Sequence, residues 1–152
     1  MVADVTVVGT GIIALSAALE LADRGLSVRL VGTTHSGNAS AAAGGMLAPS
    51  ISPETGSAHD FAVASRDRYP GYVAALVERS GRRIPMNEAG TIALAFEESE
   101  RTLFQLSNDR SAVWLSSGEI GLEESGIAAC LGGLLHPLDG AVEPLALLDA
   151  LL

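Results

Sequence analysis

The sequence is poor in the residues that form disulfides and metal sites. It contains a single cysteine, Cys130, among 152 residues, so it can form neither an intramolecular disulfide nor a C-x-x-C motif. The three histidines, His35, His59 and His136, are far apart and do not show the spacing of metal ligands. Scarce cysteine is typical of proteins from reducing compartments, and we therefore expect a cytoplasmic protein without a bound metal ion.

Basic residues are also scarce. Nine positively charged side chains, all of them arginine, are set against 18 acidic ones, and the net charge is -9 at neutral pH. A chain with this balance repels the phosphates of nucleic acids and of anionic membranes. The charge therefore argues against a nucleic-acid partner and favours a small molecule.

Long apolar runs are missing as well. The first twenty residues are rich in apolar side chains and contain no basic residue, but Asp4 precedes the run, and Gly9 and Gly11 interrupt it. A signal peptide begins with a basic segment, and a membrane-spanning helix needs about 20 consecutive apolar residues. We expect no membrane association. With 48% hydrophobic residues, the sequence has enough apolar material for the core of an ordinary globular domain.

The N-terminal segment carries the most informative motif. A strand at Val5–Val8 runs into the turn Gly9-x-Gly11-x-x-Ala14, and a helical apolar pattern follows as far as Gly25. In a dinucleotide-binding turn, the first glycine permits the tight bend, the second lets the backbone approach a pyrophosphate, and the third small residue allows close packing. We interpret this segment as such a turn. The alternative is an ordinary strand-to-helix turn whose glycines serve packing only.

The next strand contains a departure from that motif. Val28–Val31 completes a right-handed βαβ unit, so the two strands should be parallel. The position after this strand normally carries an acidic residue that accepts hydrogen bonds from the ribose, but here it is Gly32, followed by Thr33 and Thr34. No arginine follows closely, which weakens an NADP interpretation. A threonine hydroxyl is the available substitute acceptor.

The small-residue segment that follows gives a more specific indication. The run Asn38-Ala39-Ser40-Ala41-Ala42-Ala43-Gly44-Gly45-Met46-Leu47-Ala48-Pro49, taken with the βαβ start, resembles the glycine oxidase branch (thiamine-biosynthesis type) of the D-amino-acid-oxidase-like flavoproteins. The resemblance implies FAD as the cofactor, with this run opening a second short helix against the pyrophosphate and placing small residues beneath the flavin ring. A serine at such a position can cap a helix and donate to a phosphate oxygen. The alternative is an Ala-rich helix start with loop glycines.

The resemblance also implies a set of cofactor contacts and no catalytic side chain. It assigns cofactor binding to two groups of residues, which are the turn residues Gly9, Gly11, Ile12 and Ile13 and the later residues Gly32, Thr33, Ala39, Ser40, Gly44, Gly45 and Met46. Because the flavin carries out the chemistry, no catalytic triad or carboxylate pair is expected. Met46 is the residue expected near the substrate. Surface positions are expected for the arginines and for the acidic residues Glu97, Glu98, Glu123, Glu124 and Asp60. His136 is expected as a satisfied strand-end histidine, and Cys130 in the core.

Further elements can be predicted along the rest of the chain. We expect a helix from about Asp60 to Ser80 with a break or kink near Pro70-Gly71, a strand from Gly90 to Phe96, and a charged helix from about Glu97. Ser116-x-x-Glu119 has the pattern of a capping box, and Asp139-Gly140 that of a turn. Leu131–His136 resembles a buried strand, and a last helix begins at Pro144.

Together these patterns predict an α/β protein with a Rossmann-like βαβ unit, and the resemblance implies that this unit binds FAD and that part of a β-containing substrate domain follows. Residues 1–80 are assigned to the FAD-binding domain, and residues 81–152 to a partial substrate-side domain and a return helix. Members of the resembled family extend well beyond this length. We therefore expect a truncated chain that lacks the C-terminal substrate-binding part, including the arginine that holds the substrate carboxylate.

For the complete protein, the resemblance implies oxidation of a small amine or amino acid such as glycine by oxygen. The products would be an imine hydrolysed to glyoxylate, ammonia and hydrogen peroxide. Two other functions stay open: an NAD-binding Rossmann enzyme, against which the Ala39–Met46 run counts, and a non-catalytic truncated relic or interaction module, which Gly32 and the short length favour. The preferred amine and the oligomeric state, monomer or homo-oligomer, are also open.

Overall fold

The computed structural model describes residues 2–33, 39–52, 55–107, 109–127 and 129–152. Strands and helices alternate along the chain, which confirms the predicted α/β class. The strands are β1 (Val5–Val8), β2 (Val28–Val31), β3 (Met46–Leu47), β4 (Met86–Asn87), β5 (Thr91–Ala95), β6 (Val113–Ser116), β7 (Gly132–His136) and β8 (Gly140–Val142). The helices are α1 (Ile12–Asp23), α2 (Ala39–Ala42), α3 (Ser57–Ser80), α4 (Glu98–Gln105), α5 (Ser117–Glu123) and α6 (Pro144–Leu151), with a short 3-10 helix at Pro49–Ile51.

The chain forms two compact units. The first unit comprises residues 1–46, 68–86 and 142–152, and the second comprises residues 47–67 and 87–141. The short strands form a sheet of their own in the order β3-β8-β4. The assignment of residues 1–80 and 81–152 to cofactor and substrate portions concerns function and stays a prediction.

The first unit is built on the βαβ start. Strands β1 and β2 pair in parallel with Val5 opposite Val28 and Val8 opposite Val31, as predicted. Helix α1 ends at the predicted glycine, where Gly25 adopts a φ of 83° and donates its N–H to Ala22 at 2.9 Å. Helix α1 packs on α6, and the buried side chains of this unit include Leu15, Val73, Leu76, Ile84, Leu147 and Leu148.

The second unit contains an antiparallel sheet in the order β5-β7-β6. Thr91 lies opposite His136, and Ser116 lies opposite Gly132. Ala95, Ile120 and Leu134 are buried within this unit. The predicted capping box is present at the start of α5, where the Glu119 N–H donates to the Ser116 hydroxyl at 3.3 Å.

Two local predictions were wrong. Helix α3 does not have the break that was predicted as one possibility near Pro70-Gly71, and it begins at Ser57 rather than near Asp60. The proline removes one backbone donor, but packing of Val73 and Leu76 in the core keeps the helix continuous. The predicted turn at Asp139-Gly140 lies instead at Pro137–Leu138, because the Asp139 N–H closes it on the His136 carbonyl at 3.2 Å and Gly140 already belongs to β8.

Candidate cofactor site

The turn between β1 and α1 has the geometry that the glycine motif predicts. Gly9 adopts a φ of 132°, a conformation that side chains disfavour, and its N–H donates to the Val31 carbonyl at 2.8 Å. A Cβ at Gly9 would lie 3.0 Å from the Cβ of Ala14. The first glycine and the small residue of the motif are therefore required by close packing of the turn against its own helix.

Ser40 contacts the start of α1 directly. Its hydroxyl oxygen accepts a hydrogen bond from the Ile12 N–H at 3.0 Å, and a Cβ at Gly11 would lie 3.1 Å from the same oxygen. Ser40 was expected to cap the second helix, but it lies inside α2 and caps α1 instead. The second glycine of the motif therefore makes room for a serine that arrives from a later segment of the chain.

Backbone donors remain at the start of α1. The first helical hydrogen bond runs from Leu15 N–H to the Gly11 carbonyl at 3.0 Å, and the N–H groups of Ile13 and Ala14 lie in the first turn, where a helix offers no acceptor. The Ser40 hydroxyl accepts from Ile12 and still has its O–H to donate. These three donors at the positive end of a helix form an arrangement suited to a phosphate group. The Ile13 side chain beside them is 82% exposed.

The end of β2 is joined to the same turn. The Thr10 hydroxyl donates to the Thr33 carbonyl at 3.0 Å. A Cβ at position 32 would lie 2.9 Å from the Thr10 Cγ2 and 3.1 Å from the carbonyl carbon of Gly9. Gly32, where the motif normally has an acidic residue, is thus in close contact with the turn. Thr34 lies outside the described residues.

The remaining predicted contacts lie on the segment from α2 to β3. Gly45 has a φ of 69°, accepts a hydrogen bond from the Val142 N–H at 2.9 Å, and a Cβ there would overlap the Val142 carbonyl. Gly44, by contrast, has no described neighbour within 4 Å of the position that a Cβ would occupy. Ala39 is exposed, and so is Met46, at 60%. Close contact with Val142 therefore explains why position 45 is a glycine. No contact with a described residue explains why position 44 is a glycine.

These observations fit a dinucleotide. Hydrogen bonds and close contacts bring together Gly9, Gly11, Ile12, Gly32, Thr33 and Ser40 around one helix start, with Ile13 next to them. Gly45 is held by Val142 rather than by that turn, and Gly44 and Met46 are its neighbours in the sequence. Within the described ranges, no cluster of three or more His, Cys, Asp or Glu side chains could hold a metal ion. Nor does any helix of those ranges have the length and apolar character to cross a membrane.

The second unit contains two hydrogen-bonded side-chain pairs that sequence analysis missed. Arg66, expected on the surface, has a side chain only 10% exposed and pairs with the fully buried Asp139 at 3.0 Å. Asp139 also accepts hydrogen bonds from the Ser50 N–H and hydroxyl at 3.2 and 3.0 Å. Burial disfavours the guanidinium charge, but hydrogen bonds with Asp67 and Asp139 outweigh it and raise the pKa of Arg66. The sequence signal was weak, because Arg66 and Asp139 are 73 residues apart.

The other pair joins His136 to Asp109. The His136 ring is 3% exposed, and its Nδ1 lies 2.7 Å from Asp109 Oδ2, so this strand-end histidine has a partner as expected. Asp109 Oδ1 accepts hydrogen bonds from the Ser111 N–H and hydroxyl at 2.9 and 2.6 Å. Burial would raise the pKa of Asp109, but the hydrogen bonds with His136 and Ser111 lower it to about 2. Cys130 is half-buried rather than fully in the core.

Comparison with known proteins identifies the family. A family model described as FAD dependent oxidoreductase (DAO) matches residues 4–152. A glycine oxidase from Bacillus licheniformis is 34% identical over 151 residues, which cover 97% of this chain and 41% of that protein. The bifunctional protein ThiO/ThiG from Synechocystis sp. is 33% identical over 154 residues, covering 97% of this chain and 22% of that protein.

A solved structure agrees with these sequence matches. The crystal structure of glycine oxidase from Geobacillus kaustophilus superposes with a TM-score of 0.85 and 33% identity, covering 98% of this chain and 43% of that one. The chain therefore spans about two-fifths of the glycine oxidases that it matches. The resemblance predicted from the Gly9 turn and the Ala39–Met46 run is confirmed, with FAD as the cofactor of the family. This chain belongs to the FAD dependent oxidoreductase (DAO) family.

Proposed function

We propose that this chain binds FAD and provides the cofactor-binding part of an oxidase for a small amine or amino acid such as glycine. The family match and the glycine oxidase relatives support the proposal. The observation that carries it is the placement of Ser40 against Gly11 and Ile12, which leaves a hydroxyl and two backbone N–H groups around one helix start. That set of donors matches the needs of a pyrophosphate.

The predicted residues other than Ile12, whose N–H is bonded to Ser40, each have a role in this proposal. The N–H groups of Ile13 and Ala14 and the Ser40 hydroxyl would hold the pyrophosphate, while Gly9 and Gly11 shape the turn. Gly32 and Thr33 would lie at the ribose, with the Thr33 hydroxyl as the acceptor. The remaining residues would lie on the flavin side: Ala39, Gly44, Gly45 and Met46.

The chemistry would be that of the cofactor. When bound, FAD supplies two-electron oxidation of the amine and passes the electrons to oxygen, which gives hydrogen peroxide. The protein residues would hold and orient the two reactants and keep the reacting carbon near the ring. Hydrolysis of an imine formed from glycine would give glyoxylate and ammonia.

Gly44 offers a direct test of FAD binding. A methyl group at this position meets no described atom within 4 Å, so Gly44→Ala should leave the stability of the chain unchanged. If a flavin ring approaches this backbone, the methyl group will weaken FAD binding by about tenfold or more, as crowding against a planar ring should. Flavin fluorescence quenching during titration measures the affinity.

Gly71→Ala is the matched control, because position 71 also has no described neighbour within 4 Å and belongs to no predicted contact. Weaker FAD binding by Gly44→Ala alone would support the proposed ring position. Equal affinities of the two variants would remove Gly44 from the site, and absence of FAD binding by the unaltered chain would overturn the proposal itself.

Oxidation is tested separately from binding. Because the chain spans 41% of a glycine oxidase relative, we expect the 152-residue protein to bind FAD but to release no hydrogen peroxide from glycine, sarcosine or D-alanine. A peroxide assay with excess FAD measures this. Flavin-dependent peroxide release would show that these residues already contain a complete substrate site.

A further inference from the structure

A cavity lies within the second unit, apart from every residue assigned above to FAD. Its volume is about 590 Å³, within the range of roughly 300–1,000 Å³ that is usual for small-molecule sites. The wall combines charged, polar and apolar side chains, among them Arg66, Asp109, His59, Ser50, Ser107 and Val63. Among the lining residues that the structure describes, Arg66 and Asp109 carry opposite charges, and each belongs to one of the two pairs described above.

Arg66 provides the positive charge of this wall. Asp139, which is fully buried, fixes its Nη1, while Asp67 accepts hydrogen bonds from its Nε and Nη2 at 2.9 and 2.7 Å. These bonds use one N–H of each guanidinium nitrogen, and both terminal nitrogens carry a second N–H. Asp67 is 60% exposed, so solvent weakens its competition for the guanidinium. Arg66 is therefore oriented by a buried partner and retains donors for an anionic group.

Asp109 provides the negative charge. Its Oδ2 is paired with the buried His136, and its Oδ1 with Ser111, so the carboxylate has a fixed orientation. A carboxylate oxygen has two acceptor positions, and Oδ2 uses one of them for His136. The remaining position can accept a hydrogen bond from an ammonium group. Each charged wall group thus has a buried partner that holds it in place.

We propose that this cavity binds a small zwitterionic amino acid, with its carboxylate at Arg66 and its ammonium group at Asp109. Charge-assisted hydrogen bonds at both ends would select a ligand that carries both charges. The serine hydroxyls of the wall would complete the polar contacts, and Val63 and Leu138 would face a small apolar side chain. The site needs no flavin, so it can be tested independently of the proposed FAD function.

Ligand binding to the flavin-free chain is the first test. Isothermal titration calorimetry would compare glycine with glycinamide, which lacks the carboxylate, and with acetate, which lacks the ammonium group. We expect glycine to bind about tenfold more tightly than either, because each analogue loses a charge-assisted contact. Equal binding of glycine and glycinamide would overturn the role of Arg66, and absence of glycine binding would overturn the proposal.

Two variants then locate the site. Asp109→Asn should weaken glycine binding about tenfold, whereas Asp60→Asn, which changes a carboxylate that does not line the cavity, should leave it unchanged. Arg66→Gln combined with Asp139→Asn removes the second pair without leaving a buried charge unpaired, and should also weaken glycine binding. Unchanged affinity in Asp109→Asn would place glycine elsewhere. The ligand series on the unaltered chain decides the case even if the double variant does not fold.

Discussion

The Ser40 hydroxyl lies 3.0 Å from the Ile12 backbone nitrogen and accepts its hydrogen bond, although the two residues are 28 positions apart. The N-cap residue of α1 is Gly11, which has no side chain to cap the helix, so the cap comes from Ser40 in α2. The same bond leaves the serine O–H at the start of α1, where the pyrophosphate is proposed to bind. One side chain therefore has a structural role and a proposed binding role.

Ser40→Ala separates these two roles. Loss of the cap should lower the free energy of unfolding by about 1 kcal/mol, and loss of the hydroxyl donor should weaken FAD binding about tenfold. Urea unfolding and flavin titration measure the two effects. Ser99→Ala, which removes an exposed hydroxyl in α4, is the control and should change neither. Normal FAD affinity in a destabilised Ser40→Ala chain would mean that Ser40 is a cap and nothing more.

Gly32 shows why the acidic residue of the ribose position is missing. A Cβ here would lie 2.9 Å from the Thr10 Cγ2, a contact too close to form without a shift. We therefore expect Gly32→Ala to destabilise the chain by about 1 kcal/mol, within the usual cost of overpacking. Thr10→Ser in the same chain should restore part of this stability, because serine lacks the methyl group but keeps the hydroxyl that bonds the Thr33 carbonyl.

Substitutions at Gly32 and Thr10 also test whether Gly32 lies at the ribose position. Gly32→Glu in the Thr10→Ser background should tighten FAD binding, because a carboxylate accepts hydrogen bonds from the ribose hydroxyls. Gly32→Glu alone should show a smaller gain, since its Cβ meets the Thr10 methyl group. Flavin titration of the two variants and of the unaltered chain measures the difference. Unchanged affinity in the double variant would remove Gly32 from the ribose position.

The sequence predicted best what short stretches determine. The two strands at Val5–Val8 and Val28–Val31, the helix between them and the capping box at Ser116 all depend on residues close together in the chain. Each element has its own periodicity, glycine turn or cap, so local patterns were sufficient. The family followed from the same local motifs.

The structural features that the sequence did not predict depend on residues that are distant from each other in the sequence. Strands β3, β4 and β8 have two or three residues each, too few for an alternating pattern, and Gly45 finds its strand partner at Val142. Arg66 was expected at the surface because an arginine on a helix beside an acidic residue usually lies there. The Arg66 side chain is buried because it pairs with Asp139, and no local sequence pattern near Arg66 predicts that partner.

The Arg66–Asp139 pair should be costly to break from one side. Arg66→Met leaves the fully buried Asp139 carboxylate without its cation, which should lower the free energy of unfolding by about 3–5 kcal/mol. Arg82→Met is the comparison, because Arg82 and Asp149 are both more than half exposed and such a pair contributes less than about 1 kcal/mol. A similar loss of unfolding free energy in the two variants, measured by urea unfolding, would show that burial does not make the Arg66–Asp139 pair more costly to break.

The Asp109–His136 pair predicts how stability changes with pH. The pKa of Asp109 falls from 3.8 to about 2 on folding, so the folded chain holds the charged form more strongly than the unfolded chain does. The resulting stabilisation, about 2 kcal/mol, is complete above pH 4 and is lost as the pH falls through about 2. Asp109→Asn should therefore be less stable than the unaltered chain at neutral pH, and the difference should disappear near pH 2. Urea unfolding across this range measures it, with Glu88→Gln, an exposed carboxylate variant, as the control. A constant difference between the two chains from pH 6 to 2 would show that Asp109 stabilises the fold by some means other than its charge.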